Sequence, residues 1–181
     1  MVWDKDRFDE LERKVRDTLE GRRLLKEVPY YIYLYDPKDE PIAIDEFQNL
    51  ERRLNRPHSA ECVWLSDFMI DFLQKKKFIN SMGIRIENER REEVLTDLKN
   101  LLPEFIQEKI AEILRGKERS HCAILLRYGA LRPFVQISSL IPKLVGVVKC
   151  TLVIPYPGHK IGWPLDQHPD SLAKSYRAEV I

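Results

Sequence analysis

Glycine is scarce in this chain, with seven residues among 181. None of the seven stands in the Gly-x-x-x-x-Gly-Lys-Ser/Thr or Gly-x-Gly-x-x-Gly spacing, in which backbone N–H groups surround a phosphate. The Gly-x-Ser-x-Gly turn of α/β-hydrolases is also missing, since Ser138 and Ser139 stand in a helical pattern without a neighbouring base. These absences exclude nucleotide hydrolysis of the P-loop kind and hydrolysis at a nucleophile elbow.

Cysteine is rarer still, and the three cysteines, Cys62, Cys122 and Cys150, are far apart. Each lies at the start of an apolar run that predicts a strand, so we expect small buried hydrophobic residues in a reducing compartment and no disulfide framework. The four histidines include no pair at i, i+4, and no cysteine stands at ligand spacing. No metal site and no cofactor are therefore expected.

Neither sign of charge is in excess, because 30 Lys and Arg face 29 Asp and Glu, for a formal net charge of +1. Such a chain has no overall field that attracts nucleic acid. The basic clusters at 52–53, 75–77 and 90–91 are short and lie beside acids or at helix ends, which favours solvated helix faces. A nucleic-acid-binding subunit is thus a further alternative for the function, and direct nucleic-acid binding is disfavoured.

Long hydrophobic runs are missing as well. No stretch approaches the apolar length of a membrane span, and the beginning of the chain is charged from Asp4 onward, unlike a signal peptide. With 44% apolar residues, the chain has enough hydrophobic surface to close one core. We expect a single cytoplasmic domain over 1–181.

Hydrophobic periodicity predicts the order of helices and strands. Apolar residues spaced by three or four, beginning with Phe8 and Leu11, predict an N-terminal helix over 4–25 that ends near Gly21. Further helices are predicted over 42–54, from Phe68 onward, in a helical insert at about 85–116, and in a crossover within 131–145. Apolar runs predict strands at 28–35, 62–65, 121–126, 149–154 and 175–181.

This alternation of strand and helix predicts a three-layer α/β fold with a mostly parallel sheet of about five strands. The expected core is P-loop-like or Rossmann-like, without a phosphate-binding loop. The runs at 121–126 and 149–154 lack the alternation of a half-exposed strand, so they belong at the centre of the sheet.

Polar residues follow the predicted strands, where an open parallel sheet binds its ligands. Asp36 follows the first strand, Asp67 the second, Arg127 the third and His159 the fourth. Converging on one rim, these groups would suit a metal-dependent hydrolase or nuclease. The interpretation we favour is that Asp36 forms a turn, Asp67 or its neighbour Ser66 caps a helix, and the rim is structural.

Aromatic residues outside the predicted core are candidates for a partner-binding surface. Tyr156, His159 and Trp163 lie in a proline-rich segment after the fourth strand, and Trp3 and Phe8 lie in or before the first helix. Aromatic anchors in such places are typical of protein interfaces. The loop 159–169 is the favoured binding surface, and the alternative is that Trp163 covers the edge of the sheet.

Four segments together resemble the BrxB family. They are PYYIYLYDP at 29–37, LLRYGALRPF at 125–134, PYPG at 155–158 and YRA at 176–178. None of the four is catalytic, and it is their order along the chain that carries the resemblance. The stretch GWPLDQHP at 162–169 does not match the family pattern, which leaves the role of that loop open.

The resemblance implies a small component of a BREX bacteriophage-exclusion system, with no established activity and no catalytic residues. It also implies an assembly containing an AAA+ ATPase, an adenine methyltransferase and a PglZ-type, alkaline-phosphatase-like protein. We therefore expect a non-catalytic adaptor that binds partner BREX proteins, the PglZ-type protein first among them. The metal-dependent hydrolase or nuclease stays the alternative.

Overall fold

Five parallel strands form one sheet in the structure, a computed structural model that describes residues 3–23, 29–78, 91–158 and 178–181. The strands run in the spatial order β2-β3-β4-β1-β5. Their bounds are β1 Tyr30–Tyr35, β2 Ser59–Trp64, β3 His121–Leu126, β4 Thr151–Pro157 and β5 Glu179–Val180. Every described strand pair is parallel. The predicted fold class is therefore confirmed.

Helices cover both faces of this sheet. The helices among the described residues are α1 Lys5–Leu19, α2 Glu40–Leu54, α3 Leu65–Lys75, α4 Arg91–Asn100, α5 Leu102–Ile113 and α6 Ile137–Leu144. Helices α1 and α2 share one hydrophobic cluster with one face of the sheet, and α3 to α6 share a second cluster with the other face. Two short 3-10 turns, Pro37–Asp39 and Tyr128–Leu131, follow β1 and β3.

The aromatic strand β1 supplies both clusters because its side chains alternate between the faces. Tyr31, Tyr33 and Tyr35 pack toward α1 and α2, while Tyr30 and Ile32 pack toward the other helices. All six residues of β3 are buried, as the continuous apolar sequence of a doubly covered strand predicts. Strands β3, β4 and β1 form the centre of the sheet.

Strand β4 extends farther than the sequence predicts, because its two prolines fit the ladder. Leu152 donates its N–H to the carbonyl of Pro29, just before β1, at 2.9 Å, and Gly158 donates to that of Tyr35 at 2.8 Å, so the N–H groups of even-numbered residues face β1. Pro155 and Pro157 therefore turn their nitrogens, which carry no hydrogen, toward β3. The register between β3 and β4 ends at Val153, so no ladder bond is lost there.

Two predicted helix boundaries were wrong. Helix α1 ends at Leu19 and does not continue to residue 25. Helix α3 begins at Leu65, so Ser66 and Asp67 lie in its first turn, and the N-cap position belongs to Trp64, which makes no side-chain cap. A strand that ends directly in a helix leaves no separate capping residue, which is why the cap chemistry of Ser66 misled the prediction.

Candidate functional site

The carboxyl ends of the strands meet at one rim, as the parallel sheet requires. Asp36 lies just beyond β1 and Arg127 just beyond β3. The N–H of Gly158 donates to the carbonyl of Tyr35 at 2.8 Å and holds the ends of β1 and β4 together. This is the edge at which α/β sheets bind ligands.

Asp36 caps the 3-10 turn that follows β1. Its Oδ1 accepts a hydrogen bond from the backbone N–H of Lys38 at 3.1 Å, and its Oδ2 lies 3.1 Å from Nζ of Lys38. Both contacts stay within the turn Pro37–Asp39. They agree with the interpretation of Asp36 as a turn residue.

Arg127 pairs with an acid that the sequence analysis did not connect to it. Its Nη1 lies 3.6 Å from Oε1 of Glu40, at the start of α2. Arg127 also has a left-handed backbone, with φ of 62°, which lets the chain leave β3 sharply. Burial raises the pKa of the nearby Tyr35 phenol; the Glu40 carboxylate raises it further and Arg127 opposes the shift. The pair therefore ties the exit of β3 to α2, over a buried tyrosine.

Asp36 contacts Lys38 and Arg127 contacts Glu40, and neither contact includes Asp67. Asp67 is exposed on α3, where Oγ of Ser66 lies 3.4 Å from its Oδ1. Within 3–23, 29–78, 91–158 and 178–181, no group of three or more His, Cys, Asp or Glu side chains is placed to hold a metal ion. His159 lies outside the described residues.

Two of the aromatic candidates are core side chains. Phe8 is 2% exposed and Tyr156 is 0% exposed. The ring of Phe8 lies 5.0 Å from that of Phe47 and 5.4 Å from that of Trp3, which is partly buried. The assignment of Tyr156 to a loop was wrong, because it lies within β4. Neither Phe8 nor Tyr156 presents area to a partner here.

Tyr156 is held at the end of β4 by a stacked tyrosine and by a hydrogen bond. The rings of Tyr128 and Tyr156 are stacked, with centroids 5.3 Å apart and planes inclined by 29°, and Nη1 of Arg132 donates to the Tyr156 hydroxyl at 3.0 Å. The Tyr128 hydroxyl donates to the carbonyl of Val135 at 2.8 Å. The segment after β3 is thereby packed onto the end of β4. Trp163 and the loop 159–169 lie outside the described residues.

Helices α1 and α2 together carry a charged surface, of which the sequence analysis considered only the basic pair at 52–53, as part of a solvated face. Glu12 on α1 accepts hydrogen bonds from Arg16 on the same helix and from Arg53 on α2. Burial opposes the ionisation of Glu12, but the hydrogen bonds from Arg53 and Arg16 outweigh it and lower the pKa of Glu12. Beside this carboxylate, Arg16, Arg52, Arg53, Asn55 and Arg56 line an open groove of about 660 Å³.

A second polar cluster lies at the opposite edge of the sheet, where the strands begin. Nδ1 of His121 is 2.9 Å from Oγ of Ser59, and its Nε2 is 2.8 Å from Oε1 of Glu61. Ser59 and Glu61 are two residues apart on β2 and therefore share a face, and His121 pairs with Ser59 in the β3 register. The cluster joins β2 to β3. Only the strand pairing could reveal it, since Ser59 and His121 are far apart in sequence.

The sequence of most of this sheet and its helices matches a known protein family. The model of the family described as BREX protein BrxB matches residues 61–178, which run from within β2 to the residue before β5. The chain belongs to the BrxB family. The resemblance noted in the sequence is thus confirmed. Helix α1, strand β1 and helix α2 precede the matched residues, so the arginine-lined groove lies outside them.

Comparisons outside the BrxB family add little. No curated protein matches the sequence. Among solved structures, one chain of a Drosophila ORC complex bound to DNA is similar, with 15% identity and a TM-score of 0.42 over 98% of this chain and 31% of that chain. A similarity at this level carries no argument about function. In the part of the chain that the structure describes, no helix has the length and apolarity to cross a membrane.

Proposed function

We propose that this BREX component is a non-catalytic adaptor of the cytoplasm, which binds other BREX proteins, the PglZ-type protein first among them. Membership of the BrxB family places the chain in a BREX system. The observation that supports an adaptor best is that two acids near the rim already have partners within the fold. Asp36 caps a local turn and Glu40 pairs with Arg127, so both carboxylates already stabilise the fold.

The metal-dependent hydrolase or nuclease gains no support from the described residues, among which no three His, Cys, Asp or Glu side chains are placed to hold a metal ion. A stability titration separates it from the adaptor. A site of paired acids would raise the melting temperature on binding Mg²⁺ or Mn²⁺, whereas an adaptor is indifferent to both. We also expect no ATP hydrolysis by the purified chain. Turnover that is lost with a point change in this chain would contradict the proposal.

The proposed partner surface is the loop 159–169 with His159 and Trp163. Its position after β4 supports this choice, since that strand ends at the rim, where α/β sheets present their usual binding crevice. Pro164 lies within the loop and restricts its backbone, which reduces the entropy lost on binding.

The test is co-purification with the PglZ-type protein of the same system. We expect His159→Ala with Trp163→Ala to weaken the complex while leaving the melting temperature nearly unchanged. The control replaces two exposed apolar side chains elsewhere, Ile113→Ala with Val147→Ala, and should retain the complex. If the loop variant melts much lower, Trp163 belongs to the core. If the wild-type chain retains no BREX protein at all, the adaptor role is wrong.

A further inference from the structure

The open groove beside α1 and α2, called here the arginine groove, is lined by Arg16, Arg52, Arg53, Asn55 and Arg56. The one carboxylate bound to these arginines is that of Glu12, so four guanidinium groups face a single compensating charge within the described residues. The chain as a whole has a net charge of only +1. The groove is therefore a local concentration of positive charge on a nearly neutral protein.

Glu12 holds two of the four guanidinium groups in place. Its Oε1 accepts from Nε and Nη2 of Arg16 at 3.0 and 2.7 Å, and its Oε2 accepts from Nε of Arg53 at 2.9 Å. Nη2 of Arg16 also lies 3.3 Å from the carbonyl oxygen of Arg53. These contacts fix two long side chains before any ligand arrives, which reduces the entropy that binding would lose.

The other two arginines are exposed at the end of α2. Nη1 of Arg52 donates to Oδ1 of Asn49 at 2.9 Å, and Arg56 follows the helix. In the part of the chain that the structure describes, neither arginine is in an ion pair. The helix dipole explains a basic residue in the last turn. It does not explain the convergence of Arg16 from α1 on the same groove, which requires the packing of two helices.

The geometry of the guanidinium groups and the extent of the basic surface indicate which kind of ligand the arginine groove can bind. A planar guanidinium binds carboxylates and phosphates through paired hydrogen bonds. The neighbouring groove on the same face is lined by acids as well as bases, among them Asp9, Asp17 and Glu46. These acids interrupt the basic surface, so a long nucleic-acid backbone would meet repulsion within a few residues of the arginines. A short run of carboxylates does not extend that far.

We propose that the arginine groove binds a short acidic peptide segment, rich in Asp and Glu, of a partner protein. The proposal rests on the adaptor function, because it supplies that function with a second docking surface apart from the loop 159–169. The groove is built entirely from residues before 61, whereas the family match covers 61–178. It is thus a property of this chain that the matched region does not contain.

The test measures binding of a fluorescent Asp/Glu peptide to the full chain by anisotropy. Charge reversal at the exposed pair, Arg52→Glu with Arg56→Glu, should weaken binding about tenfold or more, since attraction becomes repulsion. The control reverses two exposed arginines elsewhere, Arg91→Glu with Arg115→Glu, and should change the affinity by less than about twofold. Thermal melting of both variants checks that the fold is intact.

Each outcome decides the proposal. Binding that falls with rising salt and is lost in the groove variant supports it. Equal loss in both variants would show a general effect of net charge and overturn it, as would a wild-type chain that does not bind the peptide. Tighter binding of a DNA oligonucleotide than of the peptide, lost in the same variant, would make the groove a nucleic-acid site and also overturn it.

These measurements do not depend on the PglZ-type partner. Failure of the peptide to bind leaves the adaptor role intact, whereas failure of the co-purification leaves peptide binding intact. The two proposals can therefore fail separately.

Discussion

The side-chain amide of Asn55 makes two hydrogen bonds to the backbone of Ala60. Its Nδ2 donates to the carbonyl oxygen at 3.0 Å, and its Oδ1 accepts from the N–H at 2.8 Å. Ala60 belongs to β2, which is an edge strand of the sheet. The amide thus occupies backbone groups at an edge to which another strand could pair, which is one way in which proteins protect such edges.

Asn55→Ala should therefore lower stability and increase self-association. We expect a loss of about 1–2 kcal/mol in the free energy of unfolding, measured in urea, because two backbone groups lose their partner. The exposed Asn100 at the end of α4 provides the control, and Asn100→Ala should change little. Light scattering on heating should rise earlier for the Asn55 variant. Equal behaviour of the two variants would show that the amide does not protect the edge.

The two tyrosines Tyr30 and Tyr33 on β1 should respond differently to loss of the hydroxyl. The Tyr30 hydroxyl lies 2.6 Å from the carbonyl oxygen of Val148 and 3.1 Å from that of Leu144, and both contacts are buried. The Tyr33 hydroxyl bonds to a partly buried carbonyl at 3.2 Å. We expect Tyr30→Phe to lose about 1–3 kcal/mol on unfolding in urea, and Tyr33→Phe less. The reverse order would refute this account of how β1 is tied to the end of α6.

The three cysteines should be slow to react in the folded protein. Burial raises the pKa of Cys150 to about 12, and it also raises the pKa values of Cys62 and Cys122. A thiol reagent attacks the thiolate, which is scarce at neutral pH under these conditions. Labelling should be slow in native buffer and rapid in denaturant. Rapid native labelling of two or more cysteines would contradict their placement.

Glu179 should stabilise the attachment of β5 in a pH-dependent way. Its carboxylate lies 2.9 Å from Nζ of Lys14 and 2.6 Å from Nη2 of Arg23. Burial opposes ionisation, but hydrogen bonds from Lys14 and Arg23 outweigh it and lower the pKa of Glu179 below its ordinary value of 4.5. A lowered pKa stabilises the fold above 4.5, and this contribution is lost as the pH falls through the folded-state pKa.

Unfolding curves at several pH values test this linkage. Glu179→Gln should be less stable than the wild type by about 1 kcal/mol at neutral pH, a value held down by solvent screening. The difference should shrink in acid, as the wild-type carboxyl takes up its proton. Glu118→Gln, at an exposed acid before β3, is the control and should show little difference. A constant difference at all pH values would mean that the ion pairs are not its cause.

Local sequence predicted the elements well where one physical cause acts alone. Strand β3 has the bounds that its apolar run predicts, residues 121–126, because a strand covered on both faces needs continuous hydrophobicity. Pro103 lies in the first turn of α5, where the sequence places a proline because its missing N–H costs nothing there. The alternation of strands and helices was enough for the fold class.

Proline chemistry misled the prediction where the neighbouring strand decides the outcome. Pro155 and Pro157 indicated the end of β4, yet the strand continues to Pro157 beside β1. Whether a missing N–H is costly depends on which strand it faces, and that is a property of the sheet. Tyr156 was consequently taken for a loop residue, although the structure buries it completely.

Residue types and hydrophobic spacing, which are local, were sufficient to identify the parallel α/β class and the lack of a phosphate-binding glycine motif, and the order of four segments along the chain carried the resemblance to the BrxB family. The partners of the charged side chains were not predictable in this way. Arg53 meets Glu12, Arg127 meets Glu40 and His121 meets Glu61 only after the crossovers have set the order of strands and the packing of α1 on α2. Such pairs join residues that are distant along the chain, and periodicity contains no information about contacts of that range.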